Sequence, residues 1–128
     1  MDNCIFCKIV AGQIPADKIY EDQDFMAFLD INPISKGHTL LIPKNHYHWM
    51  QDVPDEMISS IFVKAKKLML NLKDKLDCYY VQVVIEGKDV PHFHIHLIPG
   101  YLEHKSAEWF HTKYEENEMQ IFIDKLKM

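Results

Sequence analysis

Three histidines alternate with apolar residues in the stretch from Val90 to Pro99, V-P-H-F-H-I-H-L-I-P. A period of two is typical of a β-strand, so His92, His94 and His96 are predicted to share one face, with neighbours about 6.6 Å apart. The other face then enters the protein core, carrying Phe93, Ile95 and Leu97.

Three imidazoles on one face indicate a chemical role, because each buried ring needs polar partners. One hypothesis is a metal site, since three histidines can chelate a catalytic ion. The second is a nucleophile that acts on phosphate, because neutral imidazole has an ordinary pKa of about 6.5 and attacks well near pH 7. A solvated histidine face without function is the third interpretation.

Cys4 and Cys7 form a C-x-x-C pair near the start of the chain. Such a pair indicates half a zinc site, a redox dithiol or a coincidence. Only three residues precede Cys4, which disfavours the strand that a thioredoxin-like site requires. A zinc site needs two more ligands, for which imidazoles are suitable. Either His46 or His48 is a candidate, and His48 is equally well interpreted as a surface residue.

The composition indicates one domain over residues 1–128, with a net charge of −5 and no basic run for nucleic acid. A small nucleotide pocket is compatible with this charge, because it needs only local hydrogen-bond donors. No secretory signal or membrane-length apolar run is seen, which predicts a cytoplasmic protein. The odd count of three cysteines argues against a disulfide framework. Cys78 is predicted to be an inert buried thiol.

Hydrophobic periodicity predicts an α+β protein whose strands are joined by short turns and therefore pair antiparallel. The long helix is predicted to start near Asp52 or Asp55, with Pro54 in its first turn, and to run about five turns to Leu76. A tight loop at 87–89 is predicted to join the last two strands. Within the segment 8–14, one or two helical turns that Gly12 ends are predicted, and a tail helix is predicted over 114–126. The predicted strands are 18–20, 25–31, 38–43, 78–86 and 92–96.

Asp30 is the one acid at the end of an apolar strand. It is either a turn former before Asn32-Pro33 or a carboxylate that accepts from a sugar hydroxyl. The residues alone leave both interpretations open.

Four segments in the same order resemble the histidine triad (HIT) superfamily, in particular its Hint-like and bacterial hydrolase branch. In chain order they are C-I-F-C-K-I-V-A-G-Q-I-P-A near the start, F-L-D-I-N-P, G-H-T-L-L-I-P-K-N-H, and H-F-H-I-H-L-I, which follows V-P. The resemblance covers residues 4–99, the expected core of a single HIT domain, while the tail over 100–128 matches loosely. It implies the HIT fold, with a five-stranded antiparallel sheet, one long helix, a short N-terminal helix and a C-terminal helix.

The resemblance implies a hydrolase that cleaves at the α-phosphate of nucleoside phosphoramidates or related adenosine nucleotides. The middle histidine, His94, then attacks phosphorus and forms a covalent nucleotidyl-histidine. His96 is expected to donate to the phosphate, and its presence favours water over another acceptor. His38 matches a frequent family histidine and is expected to play a supporting part.

The resemblance also implies a structural zinc held by Cys4, Cys7, His46 and His92, a closed set of four ligands. Asp30 is similar to the acid that binds ribose hydroxyls of a purine nucleotide. Five apolar positions match those that wall the base, although each alone is equally a core residue: Phe6, Ile9, Ile14, Leu29 and Ile31. A homodimer is implied as well, joined through the long helix and an edge strand.

The loop before the triad departs from the family, because Ile85-Glu86-Gly87-Lys88-Asp89 is short and lacks an amide and a hydroxyl. Lys88 is expected to substitute as a phosphate donor, whereas Asp89 would repel phosphate. Gly100 also stands where arginine is common. These departures leave the leaving group open, so the alternatives are a dinucleoside polyphosphate hydrolase, a metal-dependent hydrolase using the three histidines, and a nucleotide-binding protein without turnover.

Overall fold

The structure is a computed structural model and describes residues 3–101 and 112–128. It contains a five-stranded antiparallel sheet and three α-helices, which confirms the predicted α+β class. The strands are β1 (Lys18–Glu21), β2 (Phe25–Leu29), β3 (Thr39–Pro43), β4 (Tyr80–Glu86) and β5 (His94–Gly100), in the order β1-β2-β3-β5-β4. The helices are α1 (Ile5–Val10), α2 (Asp55–Leu76) and α3 (Glu118–Leu126), with a 3₁₀ turn at Met50–Asp52.

The sheet separates two apolar layers. On one face α2 and α3 cover a core that includes Ala27, Leu41, Ile95 and Leu97. On the other face the short helix α1 packs over a second cluster of Phe6, Met26, Phe28, Leu40 and Ile42. The alternation along β5 therefore turns Ile95 and Leu97 toward α2 as predicted, and leaves its histidines on the α1 side.

The histidine strand begins later than predicted. His92 precedes β5, which starts at His94 and continues through Pro99 to Gly100. The N–H of Phe93 donates to the carbonyl of Tyr47 instead of to a neighbouring strand. The connection from β4 consequently spans residues 87–93, so the prediction of a tight three-residue loop is wrong.

The starts of α1 and α3 and the cap of α2 also differ from the sequence prediction. Helix α1 begins at Ile5 because the Cys4 sulfur accepts a hydrogen bond from the N–H of Cys7 and caps it. In α2 neither Asp52 nor Asp55 caps the helix: Pro54 occupies that position, and the helix runs 22 residues, about six turns. The tail helix begins at Glu118, four residues later than predicted.

Gly100 faces Tyr80 across the β4–β5 ladder. A Cβ atom at this glycine would come within 2.3 Å of the Tyr80 ring. The aromatic ring therefore fills the space that a side chain at position 100 would occupy.

Trp109 and Phe110 lie outside the described residues, as does the rest of the segment over 102–111. No helix in the described parts of the chain is long and apolar enough to cross a membrane.

Candidate active site and metal centre

His94 lies at the start of β5, buried and with a defined hydrogen-bonding state. Its Nδ1 is 2.6 Å from the backbone carbonyl of His92. A carbonyl only accepts, so Nδ1 carries the proton and Nε2 presents its lone pair. The ring of Phe6 packs edge-on against His94, with centroids 5.2 Å apart.

His96 is linked to His38 through a chain of hydrogen bonds. The N–H of Ile34 donates to Nδ1 of His38, at 3.0 Å, so the proton of a neutral His38 lies on Nε2. That Nε2 is 2.9 Å from Nδ1 of His96 and donates to it. The neutral His96 therefore carries its own proton on Nε2, which lies 3.9 Å from Oε1 of Glu86.

A cleft of about 350 Å³ opens beside these two histidines, between α1 and the ends of the strands. All but one of the residues predicted to contact nucleotide line it: Phe6, Ile9, Ile14, Leu29, Asp30, Ile31 and Asp89. The exception is Lys88, which is exposed and is not among the lining residues. The expected replacement of the missing donors by Lys88 is therefore not supported by its position.

Asp30 combines the two interpretations that its sequence position allowed. Its Oδ1 accepts from the N–H of Asn32 at 2.9 Å, which is the turn-forming contact. Its Oδ2 lies 3.8 Å from Nε2 of His38, on the cleft side. The same carboxylate can thus shape the turn and face a ligand.

A second set of side chains, the thiol–imidazole cluster, consists of Cys4, Cys7, His46 and His92, whose donor atoms lie within 4.8 Å of one another. Nδ1 of His46 is 3.1 Å from the Cys7 sulfur, and Nδ1 of His92 is 3.3 Å from the Cys4 sulfur. Tetrahedral zinc, with Zn–S near 2.3 Å and Zn–N near 2.05 Å, separates sulfur from nitrogen by about 3.6 Å. Because the spacings are close to this value, the four residues fit zinc.

His92 is held in the state that a metal ligand requires. Its Nε2 donates to the carbonyl of Pro43 at 2.8 Å, which leaves the lone pair on Nδ1 facing the thiols. Burial lowers the pKa of His92 to about 4, so the ring is neutral. Burial, followed by the neighbouring Cys4, raises the pKa of Cys7 to about 11, and a bound cation would be needed to make it a thiolate.

The three triad histidines do not converge on one point. In the described residues, His92 groups with the cysteines, whereas His94 and His96 group with Glu86. This separation does not favour a metal centre made of the three histidines. His48 takes no part in either group, and its ring stacks on Trp49 with centroids 3.9 Å apart.

Glu86 is a site residue that the sequence interpretation missed. It pairs directly with His94 across the β4–β5 ladder, and its Oε1 lies 3.9 Å from Nε2 of His96. Because Glu86 and Val84 are two residues apart on β4, the sequence places their side chains on the same face of the strand. The sequence does not show which residues of β5 they pair with. Other lining residues that were not predicted are Ile5, Pro15, Ala16, Asp17, Phe28, Asn32, Leu40 and Val90.

Comparison with known proteins defines the class. A HIT domain profile matches residues 11–103, and the chain therefore belongs to the HIT family. An uncharacterized HIT-like protein of Methanocaldococcus jannaschii is 44% identical over 103 residues, covering 77% of this chain and 79% of that protein. The adenosine 5′-monophosphoramidase of Saccharomyces cerevisiae is 43% identical over 99 residues, covering 75% of this chain and 61% of the enzyme.

Solved structures agree with the fold. A zinc-bound histidine triad family protein from Mycobacterium smegmatis superposes with a TM-score of 0.83 at 30% identity, covering 98% of this chain and 94% of that one. The expected HIT fold is thereby confirmed.

Proposed function

We propose that this protein is a nucleotide hydrolase that cleaves at the α-phosphate of nucleoside phosphoramidates, with His94 as the nucleophile. The observation that carries the proposal is the hydrogen bond from Nδ1 of His94 to the His92 carbonyl. Because Nδ1 holds the proton, the lone pair of this cleft-lining ring is on Nε2. The yeast relative named as an adenosine 5′-monophosphoramidase supports the choice of substrate class.

The proposed reaction has two displacements at phosphorus. Nε2 of His94 forms a bond to phosphorus as the P–N bond to the leaving group breaks, and the leaving nitrogen takes up a proton to depart as an amine. Water then forms a P–O bond and loses a proton as the P–N bond to His94 breaks, which releases the nucleoside monophosphate. The ring becomes cationic in the intermediate, and its Nδ1–H bond to the His92 carbonyl strengthens with that charge. Nε2–H of His96 is proposed to donate to a phosphoryl oxygen.

The rest of the cleft is proposed to hold a purine nucleoside. Asp30 accepts from the ribose hydroxyls, and the base lies against an apolar wall. The wall is formed by Phe6, Ile9, Ile14, Leu29 and Ile31.

We propose that zinc binds the thiol–imidazole cluster and acts in folding alone. All four ligand positions are protein atoms, so no position remains for water or substrate. The chemistry that this ion supplies is a cross-link between α1 and the segment before β5.

A homodimer is proposed from an apolar surface on the α2 side. Val83 and Ile85 on the edge strand β4 are 40% and 37% exposed, and their partners Leu97 and Ile95 face α2. On α2, Val63 and Leu70 are also exposed and lie two turns apart. Light scattering of the purified chain tests this state. A cytoplasmic location remains a prediction from the sequence.

Trapping of the intermediate tests the reaction. The chain is incubated with adenosine 5′-phosphoramidate, quenched in acid and analysed by mass spectrometry. We expect an added adenylyl group on His94, its absence in His94→Ala, and its retention in the matched control His48→Ala.

The alternatives give other outcomes. Turnover that chelation abolishes in a protein that stays folded would favour a catalytic metal. Nucleotide binding without turnover would favour a binding protein, and adduct formation in His94→Ala would refute the assigned nucleophile.

A further inference from the structure

The cleft beside His94 carries a strong negative charge for a site proposed to bind a nucleotide. Four carboxylates line it: Asp17, Asp30, Glu86 and Asp89. No lysine or arginine occurs among the described residues that line it. Sites that accept several phosphates concentrate positive donors, since each phosphate brings negative charge. The lining therefore disfavours a substrate with more charge than one reacting phosphate.

Glu86 is the carboxylate placed nearest to both histidines on β5. It stands directly opposite His94 in the ladder, so the two side chains share a face. Its Oε1 lies 3.9 Å from Nε2 of His96, and one donor atom from each of the three residues falls within 4.8 Å of the others. A charge on Glu86 is therefore felt by any group that reacts between His94 and His96.

The charge of Glu86 is not neutralised by a basic side chain. No lysine or arginine forms an ion pair with it in the part of the chain that the structure describes. His96 contributes no full positive charge, because the hydrogen-bond chain from Ile34 through His38 assigns it the neutral tautomer. The Glu86 side chain is 34% exposed and can meet a ligand.

The turn after Glu86 holds the acid in this position. A Cβ at Gly87 would come within 2.9 Å of the Trp49 ring, so the main chain of the turn packs closely under that ring. Beyond the turn Asp89 adds a second carboxylate to the lining, while Lys88 between them does not reach it. The backbone next to Glu86 is thus held by close packing, and of the two exposed residues that follow Gly87 only Asp89 lines the cleft.

We infer that Glu86, assisted by Asp89, determines specificity by selecting leaving amines that carry a second, protonated amino group over anionic leaving groups such as nucleoside polyphosphates. The inference rests on the proposed phosphoramidate hydrolysis and narrows its substrate class. Attraction between the carboxylates and an ammonium group favours the first kind of substrate, and repulsion disfavours the second.

Three matched substrates test this selection in the 128-residue chain. Adenosine 5′-phosphate is joined through nitrogen to a diaminobutane, a butylamine or an aminobutyrate, so that the far end of the leaving group is cationic, neutral or anionic. We expect kcat/KM to fall in that order, by about tenfold in total for charges within a Debye length of each other.

Charge-neutral variants assign the effect to residues. Glu86→Gln is expected to reduce the ratio of kcat/KM for the cationic substrate to kcat/KM for the anionic substrate about three- to fivefold. Asp89→Asn is expected to reduce this ratio less, because Asp89 is more exposed. Asp74→Asn is the control, because it removes the same charge from an exposed position on α2 outside the cleft lining. A structural defect would lower all three rates together and leave the ratio unchanged.

The outcomes separate the two proposals. Equal kcat/KM for the three substrates, or a ratio that Glu86→Gln leaves intact, overturns the selection while phosphoramidate hydrolysis stands. Absence of turnover with all three, including the neutral butylamide, overturns both.

Discussion

The thiol–imidazole cluster contains His92 and the cleft is lined by His94, two residues further along the chain. The two imidazole rings carry their proton on opposite nitrogen atoms. His92 donates from Nε2 to the Pro43 carbonyl and presents Nδ1 to the thiols. His94 donates from Nδ1 to the His92 carbonyl and presents Nε2. In both cases a backbone carbonyl decides which nitrogen keeps its lone pair.

The two regions also differ in what surrounds the lone pair. Nδ1 of His92 meets two sulfurs and a second imidazole, a closed set suited to a metal. His94 borders a cleft of about 350 Å³ that can admit a substrate. Enclosure and tautomer together thus distinguish the proposed metal ligand His92 from the proposed nucleophile His94, although the two rings are chemically identical.

The largest expected effect comes from removing the proposed nucleophile. His94→Ala should lower kcat/KM for an adenosine phosphoramidate about 10⁵-fold, as loss of a covalent nucleophile does elsewhere. The melting temperature and metal content should stay near those of the unmodified chain. Steady-state kinetics and metal analysis measure both, and a loss of metal in this variant would break the proposed separation of the two regions.

Loss of one of the proposed zinc ligands should lower the stability of the protein. Cys4→Ser is expected to cost about 3–5 kcal/mol of unfolding free energy in zinc-loaded protein, because the ion no longer cross-links α1 to the segment before β5. Denaturant unfolding with and without a chelator measures this. Cys78→Ala is the matched control, since that buried thiol lies outside the cluster. A chelator that has no effect on the unmodified chain would contradict a structural zinc.

Replacement of His38 probes the hydrogen-bond chain on the cleft side. His38→Phe removes the donor to Nδ1 of His96, so the proton of His96 is no longer fixed on Nε2. We expect kcat to fall about 10- to 100-fold with a smaller change in KM. Unchanged kcat would show that the tautomer of His96 does not matter for turnover.

The smallest effect concerns the loop that carries His38. The Tyr114 hydroxyl accepts from the N–H of Gly37, and burial raises the pKa of Tyr114 to about 12 from an ordinary value of 10. The unfolded chain releases this proton first, so stability should decline by about 1–2 kcal/mol as pH rises from 10 to 12.

Thermal unfolding of the unmodified chain and Tyr114→Phe across this range isolates the effect. The variant should lack that part of the decline. An identical alkaline decline in both proteins would assign it to other groups.

Much of the fold followed from periodicity, whereas the details of the site depended on long-range pairing. The alternation of His94, Ile95, His96 and Leu97 predicted a strand with one core face, and the structure confirms it. The extension of that strand to His92 was wrong, because the His92 side chain and the Phe93 N–H are directed to partners far away in the sequence.

Glu86 shows why part of the candidate site could not be predicted. Its place opposite His94 depends on the register of β4 against β5, and that register depends on the seven-residue connection over 87–93. Loop length and turn geometry set register, and nothing in this loop has the form of a standard two-residue turn. The pairing of His94 with an acid could therefore be seen only in the three-dimensional structure.

The contact between Tyr80 and Gly100 has a consequence for redesign. The tyrosine ring occupies the volume that a larger residue at position 100 would need, within 2.3 Å of its first carbon. An arginine grafted at position 100 would have to displace the Tyr80 ring, so such a graft is best combined with exchange of Tyr80 for a small amino acid. Substitutions at positions 80 and 100 are therefore coupled. An exchange at one position alone does not test the role of the residue at the other.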